Sequence, residues 1–345
     1  MTVEFFDGFD VNNTTTSVPL SGWTVDSGSF SAISGRNGQG SALRLSNNGT
    51  NVIRRDLPLG NQASRVVGVA IKYRTTSFAS TGSLFSLRDG SSVQLAVHQA
   101  ANSGALIVKQ GSTTLGTTSV LWADPAGLDS WKYIELVSTI NNSTGFWELF
   151  ADGVSVLGGA SSSGGVNGNN VDTQATANAY ANRLYIDGQY NGASDFDDLY
   201  VGDTRLGDRR VVTLAVTSDS AVAWTRSAGS NNYATVDDNP ISTSDYNTAS
   251  AASLRDQFGL TNLSFTPSVI DAVAFNYVYN KQDSGARTMR GGIVSGASTG
   301  TGATVTPVLT TDNFRQDIFA TDPATGVAWT KSGVDAAEPF YETVT

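Results

Sequence analysis

The chain of 345 residues contains no cysteine and a single histidine, His98. The first absence excludes disulfides, zinc–thiolate centres and thiol nucleophiles together. The second leaves His98 as the sole imidazole for a Ser-His-Asp arrangement, and no nucleophile-elbow motif accompanies it. A strand histidine, packed or solvated, is the plainer reading. Charge is scarce, at 15% of residues, and its balance is acidic: 21 Lys and Arg against 31 Asp and Glu give −10. With no long basic run, a surface that tracks nucleic-acid phosphates is excluded. Also missing is any run of about 18 apolar residues, the length a membrane-spanning helix needs. The opening Met1-Thr2-Val3-Glu4-Phe5 has neither the basic nor the apolar segment of a secretory signal, so synthesis in a cytoplasm and no entry into a membrane are expected.

What is abundant is turn chemistry. There are 36 glycines, with many Ser, Thr and Asn, alongside a hydrophobic fraction of 39% that suits a folded protein. Period-two apolar runs recur between turn signals: Ala42–Leu45, Val66–Tyr73, Leu84–Leu87, Val93–His98, Ala105–Val108, Trp131–Val137 and Phe146–Phe150. Arg88-Asp89-Gly90-Ser91 and Ala151-Asp152-Gly153 read as hairpin turns between them. No stretch of the first half has a clean helical period. The Gly-, Ser- and Asn-rich segment 158–178 reads as a long surface loop. The length exceeds what one core organises, which predicts two domains, 1–206 and 207–345. The polar Asp203–Arg210 forms the junction, and a new strand is expected at Val211–Val216.

Two acidic-aromatic segments, Phe5-Phe6-Asp7-Gly8-Phe9-Asp10 and Phe196-Asp197-Asp198-Leu199-Tyr200-Val201-Gly202-Asp203, bracket the first two hundred residues. With Trp131–Leu136 and Phe146–Val154, they resemble the opening, internal and closing strands of concanavalin A-like (laminin G-like) jelly rolls. The resemblance implies an all-β fold: a jelly-roll sandwich whose first and last strands are neighbours, followed by a smaller antiparallel β-sandwich. In such domains a structural calcium sits where the first strand, a Gly-containing loop and the last strand meet. The matching positions are Asp7 or Asp10, Gly40, and Asp197 or Asp198. As plain residues, these aspartates read equally well as turn and capping groups. No cofactor is otherwise required.

The second half carries Gly207–Val211, Ala223-Trp224-Thr225, Asn232-Tyr233-Ala234, Lys281–Arg287 and Asp322–Thr330 in one order. That order resembles a C-terminal domain of virion structural proteins from tailed bacteriophages. It departs from the family at Ala249–Phe258, which is more helix-like than the usual polar linker, and at the end, Ala336–Glu342. The resemblance implies a non-enzymatic virion component on the tail or head, assembling with other virion proteins and as a homo-oligomer. Phe340-Tyr341 near the chain end suggests a partner surface. Read bottom-up, Asp322–Gly326 is a turn and Trp329 an anchor.

The alternative is a glycan-binding adhesin recognising a host surface through the jelly roll. Trp122 and Tyr190 would serve as aromatic platforms, with Asp124 and Asn191 as hydrogen-bonding partners. Glycoside hydrolysis is a further alternative, but the paired-carboxylate strand E-x-D-x-E is absent, and Asp195 and Asp197 are assigned to a closing edge strand.

Overall fold

A computed structural model describes residues 2–12, 14–45, 51–73, 81–122, 130–159, 165–188 and 194–345. The chain divides into two units, one running to Val212 and one built on Thr213–Thr345. No helix among the described residues is long and apolar enough to cross a membrane.

The strands of the first unit are β1 (Val3–Asp7), β2 (Thr24–Ser27), β3 (Phe30–Ser34), β4 (Ser41–Leu45), β5 (Asn51–Asp56), β6 (Ser64–Tyr73), β7 (Gly82–Asp89) and β8 (Ser92–Gln99). They continue with β9 (Leu106–Gln110), β10 (Thr113–Thr117), β11 (Trp131–Thr139), β12 (Gly145–Ala151), β13 (Val154–Gly158), β14 (Asn169–Val171), β15 (Arg183–Gly188) and β16 (Ser194–Gly202). Every period-two run falls on one of them. One sheet has the order β13-β12-β11-β6-β16-β4-β3, with β1 also on β16 and β14 on β12; the other has the order β10-β9-β8-β7-β15-β5-β2. Leu43, Val67 and Phe196 of the first sheet share one core with Phe85, Leu95 and Ile186 of the second. This is a jelly-roll sandwich, and its largest stabilising term is that apolar layer, at about 25 cal/mol per Å² removed from water.

The opening and closing strands do pair, Phe5 opposite Val201 and Asp7 opposite Leu199. The closing strand is nevertheless not an edge. β16 has β6 along one side, while β4 and β1 share the other. The expected loop 158–178 is also interrupted, because Asn169–Val171 pairs with β12. Beyond it the buried Gln94 amide donates to the carbonyls of Asn178 and Tyr180.

The boundary lies after Val212 rather than at 206, for an electrostatic reason. Arg205 Nε reaches Glu135 at 2.8 Å, and the Gly207 amide donates to the same carboxylate. Arg36 binds Asp208 at 2.6 Å and the Arg209 carbonyl at 2.7 Å. The Val211 amide donates to Asp198. Residues 205–211 are thus pinned over the outer face of the first sheet, beside the buried Tyr133 and Tyr200. Accordingly Val211–Ala215 is not a strand.

The second unit comprises β17 (Val216–Ala221), β18 (Thr225–Arg226), β19 (Asn247–Thr248), β20 (Arg255–Leu260), β21 (Val273–Tyr279), β22 (Met289–Ser295), β23 (Ser298–Thr301), β24 (Asn313–Phe319) and β25 (Glu338–Thr343). A five-stranded antiparallel sheet, β17-β20-β25-β22-β23, is faced by the ribbon β21-β24. Close approach needs Gly291: a Cβ there would stand 2.5 Å from the Tyr277 ring and 2.8 Å from the Phe275 ring. The segment read as helix-like yields strand β20, whose Phe258 is a core residue. Phe340 and Tyr341 are buried within their own unit, Tyr341 packing on Trp224 and Phe258 at 4.7 and 5.4 Å. The chain-end aromatics therefore do not need the partner surface expected for them. Trp329 is an anchor, its indole donating to the Phe319 carbonyl.

A fragment ending at Leu206 leaves Arg36 and Asp198 buried without Asp208, Arg209 and Val211. It should lose about 3 kcal/mol relative to a fragment ending at Val212, a melting temperature roughly 6–12 °C lower by calorimetry. Equal melting points would show that the pinned segment contributes nothing.

Candidate functional site

Alternation decides which side chains the seven-stranded sheet turns outward. Leu95 and Val97 of β8, Phe85 and Leu87 of β7, and Leu184 and Ile186 of β15 enter the core. Their neighbours therefore face away from it. Register then assembles one outward row from Lys109, Ala96, Ser86, Tyr185, Arg54 and Thr24, each opposite the next. A second row places His98 opposite Ser83, and Ser83 Oγ donates to Asp187 at 2.6 Å.

Arg88 binds the rows together. Its guanidinium lies 3.7 Å over the Tyr185 ring, Nε donates to Ser86 at 2.8 Å, and Nη2 is 3.6 Å from Asp187. Burial raises the Asp187 carboxyl above its ordinary range against the opposing pull of Ser83 and Arg88. His98 is held down to about 4, first by burial and then by the positive charges of Lys109 and Arg88. Its Nδ1 is buried and has no hydrogen-bond partner among the described residues. The face thus gathers an aromatic ring, a guanidinium, an amine, an imidazole and a hydroxyl, the mixture that grips polar ligands by hydrogen bonds. Sequence reasoning weighed His98 as a sole imidazole and read Arg88 as part of a turn, but passed over Ser83, Ser86, Tyr185 and Asp187 as the polar alternates of β-strands.

Of the four carbohydrate positions expected from sequence, Trp122 is corrected. It is wholly buried, 4.3 Å from Tyr73, with its indole donating to the Ser130 carbonyl, so it presents no face to a sugar. Asp124, Tyr190 and Asn191 lie outside the described residues.

The calcium positions divide. Asp7 accepts from the Phe9 amide, Asn12 and the Trp23 indole. Asp198, held at φ 50° in a bulge of β16, is paired with Arg36 at 2.7 Å. Both are corrected: their oxygens serve the fold. Asp10 and Gly40 do adjoin, since a Cβ on Gly40 would lie 2.0 Å from Asp10 Oδ1. Asp197 is close by, accepting from the Arg36 amide at 2.7 Å and 3.2 Å from where a Gly35 Cβ would stand. Calcium takes six to eight oxygens. Here the Arg36 and Ser41 amides already point at the two carboxylates, and among the described residues no group of three or more acidic, histidine or cysteine side chains is arranged to hold a metal. The donor set does not fit calcium.

No known family model matches the chain, and no curated protein matches it in sequence. Solved structures do. A carbohydrate-binding module, CBM66 of Bacillus subtilis, is 10% identical over 52% of this chain and 95% of its own, with a TM-score of 0.33. The alginate lyase vAL-1 from Chlorella virus is 12% identical over 59% of this chain and 100% of its own, at 0.39. The exoplasmic/lumenal domain of VIP36 is 11% identical over 57% of this chain and 92% of its own, at 0.34.

Burial, then the neighbouring Asp198, raises the Asp197 carboxyl. A raised value means the folded state holds its proton more tightly, so this contribution is complete below the ordinary carboxylate pKa of about 4 and is lost as pH rises through the raised value. The melting temperature should therefore fall with rising pH, less steeply in Asp197→Asn, and millimolar calcium should leave the fall in place. If calcium abolishes it, an ion completes the carboxylate pair and the donor argument fails.

Proposed function

We propose that the N-terminal unit binds glycans along the outer face of its seven-stranded sheet. The observation that supports this most directly is Arg88, stacked on Tyr185 and shared between Ser86 and Asp187 at the centre of a face lined by His98, Ser83 and Lys109. A glycan offers hydroxyls that both donate and accept, and apolar ring faces that suit the edge of an aromatic. Screening the full chain against immobilised polysaccharides should give retention, and Arg88→Ala should weaken it about tenfold or more, the loss for a charge-assisted hydrogen bond. Retention unaffected by Arg88→Ala would place the ligand elsewhere, and no retention on any polysaccharide would end the proposal.

A second reading, assembly through the C-terminal unit, draws on one further observation. Its cores are small clusters, while Val222, Tyr246, Val269, Val308, Leu309 and Val327 stand exposed. Apolar surface of this kind suits a second copy of the same unit, as in the virion role that the motif order implies. Light scattering should give a multiple of the 36.1 kDa chain. A monomer at tens of micromolar would refute it.

A further inference from the structure

The outer face of the seven-stranded sheet carries unbalanced positive charge in a chain whose net charge is −10. Its strands present Arg54, Arg88, Arg183 and Lys109 against Asp26, Asp56 and Asp187. Two of the cations are matched: Arg54 meets Asp26 at 2.7 Å, and Arg183 meets Asp56. Arg88 is paired more loosely, its Nη2 3.6 Å from Asp187. Lys109 makes no ion pair among the described residues. It stands on β9 opposite Ala96, one same-face step along β8 from His98, whose basicity burial lowers first and the charges of Lys109 and Arg88 lower further. Ala96 and Ser86 stand between the strand positions of the amine and the guanidinium.

We propose that the glycan bound here is acidic, with carboxylate or sulfate groups that pair with Lys109 and Arg88. This rests on the glycan reading given above. Charge complementarity selects the ligand: a neutral glycan would leave Lys109 desolvated without a counter-charge, whereas an anionic one supplies it and a further partner for Arg88. A planar guanidinium favours bidentate contact with a carboxylate, and the lysine acts as a point charge beside it.

Calorimetric titration of the full chain with oligouronates, sulfated oligosaccharides and neutral glucans of matched length tests the proposal. The carboxylate and sulfate arms tell the two anions apart. Binding of at least one acidic series is expected, weakening about tenfold or more when salt is raised from 50 to 500 mM. Lys109→Gln should cost about tenfold in affinity for that series, and because Lys109 makes no ion pair among the described residues, its melting temperature should be unchanged. Binding confined to neutral glucans, or acidic binding indifferent to Lys109→Gln and to salt, overturns the charge assignment while leaving the glycan reading intact. Equal binding of an acidic peptide or an oligonucleotide overturns the acidic-glycan assignment, and binding of none of the oligosaccharides overturns both.

Discussion

Arg36 is the residue on which the N-terminal unit closes. One guanidinium reaches Asp198 on the closing strand, Asp208 and the Arg209 carbonyl on the segment beyond it, and lies 5.2 Å from the Tyr133 ring centre. Its backbone amide holds Asp197. An isolated buried charge costs several kcal/mol, so each partner is obligatory once the others are buried. The arrangement places the strain of a left-handed Asp198 at the bulge where β16 passes from its β4 neighbour to its β1 neighbour. The same contact holds the end of the unit onto its own outer surface and so sets where the second unit begins.

Outward residues are buried on both sheets of the sandwich, among them Ser86, Tyr185 and Asp187 on the second. On the first sheet the outward residues Tyr133, Glu135 and Tyr200 are buried, with Arg205–Val211 bonded back onto Glu135, Arg36 and Asp198. Their polar atoms are spent on one another, Tyr200 on Glu135 and the Leu206 amide on Tyr200. On the second sheet Arg88, His98 and Lys109 keep partial exposure.

Much of this architecture was legible in the residues, because a half-buried strand writes its period into the chain: Val66–Tyr73 and Trp131–Val137 are strands for the reason they look like strands. The pairing of Phe5 with Val201 was readable from two similar acidic-aromatic segments. The bulge at Asp198 was not, since a positive φ at a non-glycine residue leaves no pattern. Nor was the outward row of the second sheet, because which residue lies beside Tyr185 depends on register between strands far apart in sequence. Trp122 misled for a related reason: an aromatic among turn residues looks like a platform until the core that receives it is known. Val211–Val216 alternates like a strand, yet a carboxylate on Asp198 claims the Val211 amide first.

Because β1 and β16 are partners, the first and last strands of the first unit meet at one spot: the Thr2 amide donates to Asp203 at 2.8 Å, and the Asp203 amide to the Thr2 carbonyl at 3.1 Å. A body whose first and last strands pair behaves as a cassette. It can be spliced into a surface loop of an unrelated scaffold with hardly any gap to bridge, or threaded repeatedly along a longer polypeptide as side-hung beads rather than end-to-end links. Pulling force applied through those ends would meet the β1–β16 ladder and little of the sandwich behind it.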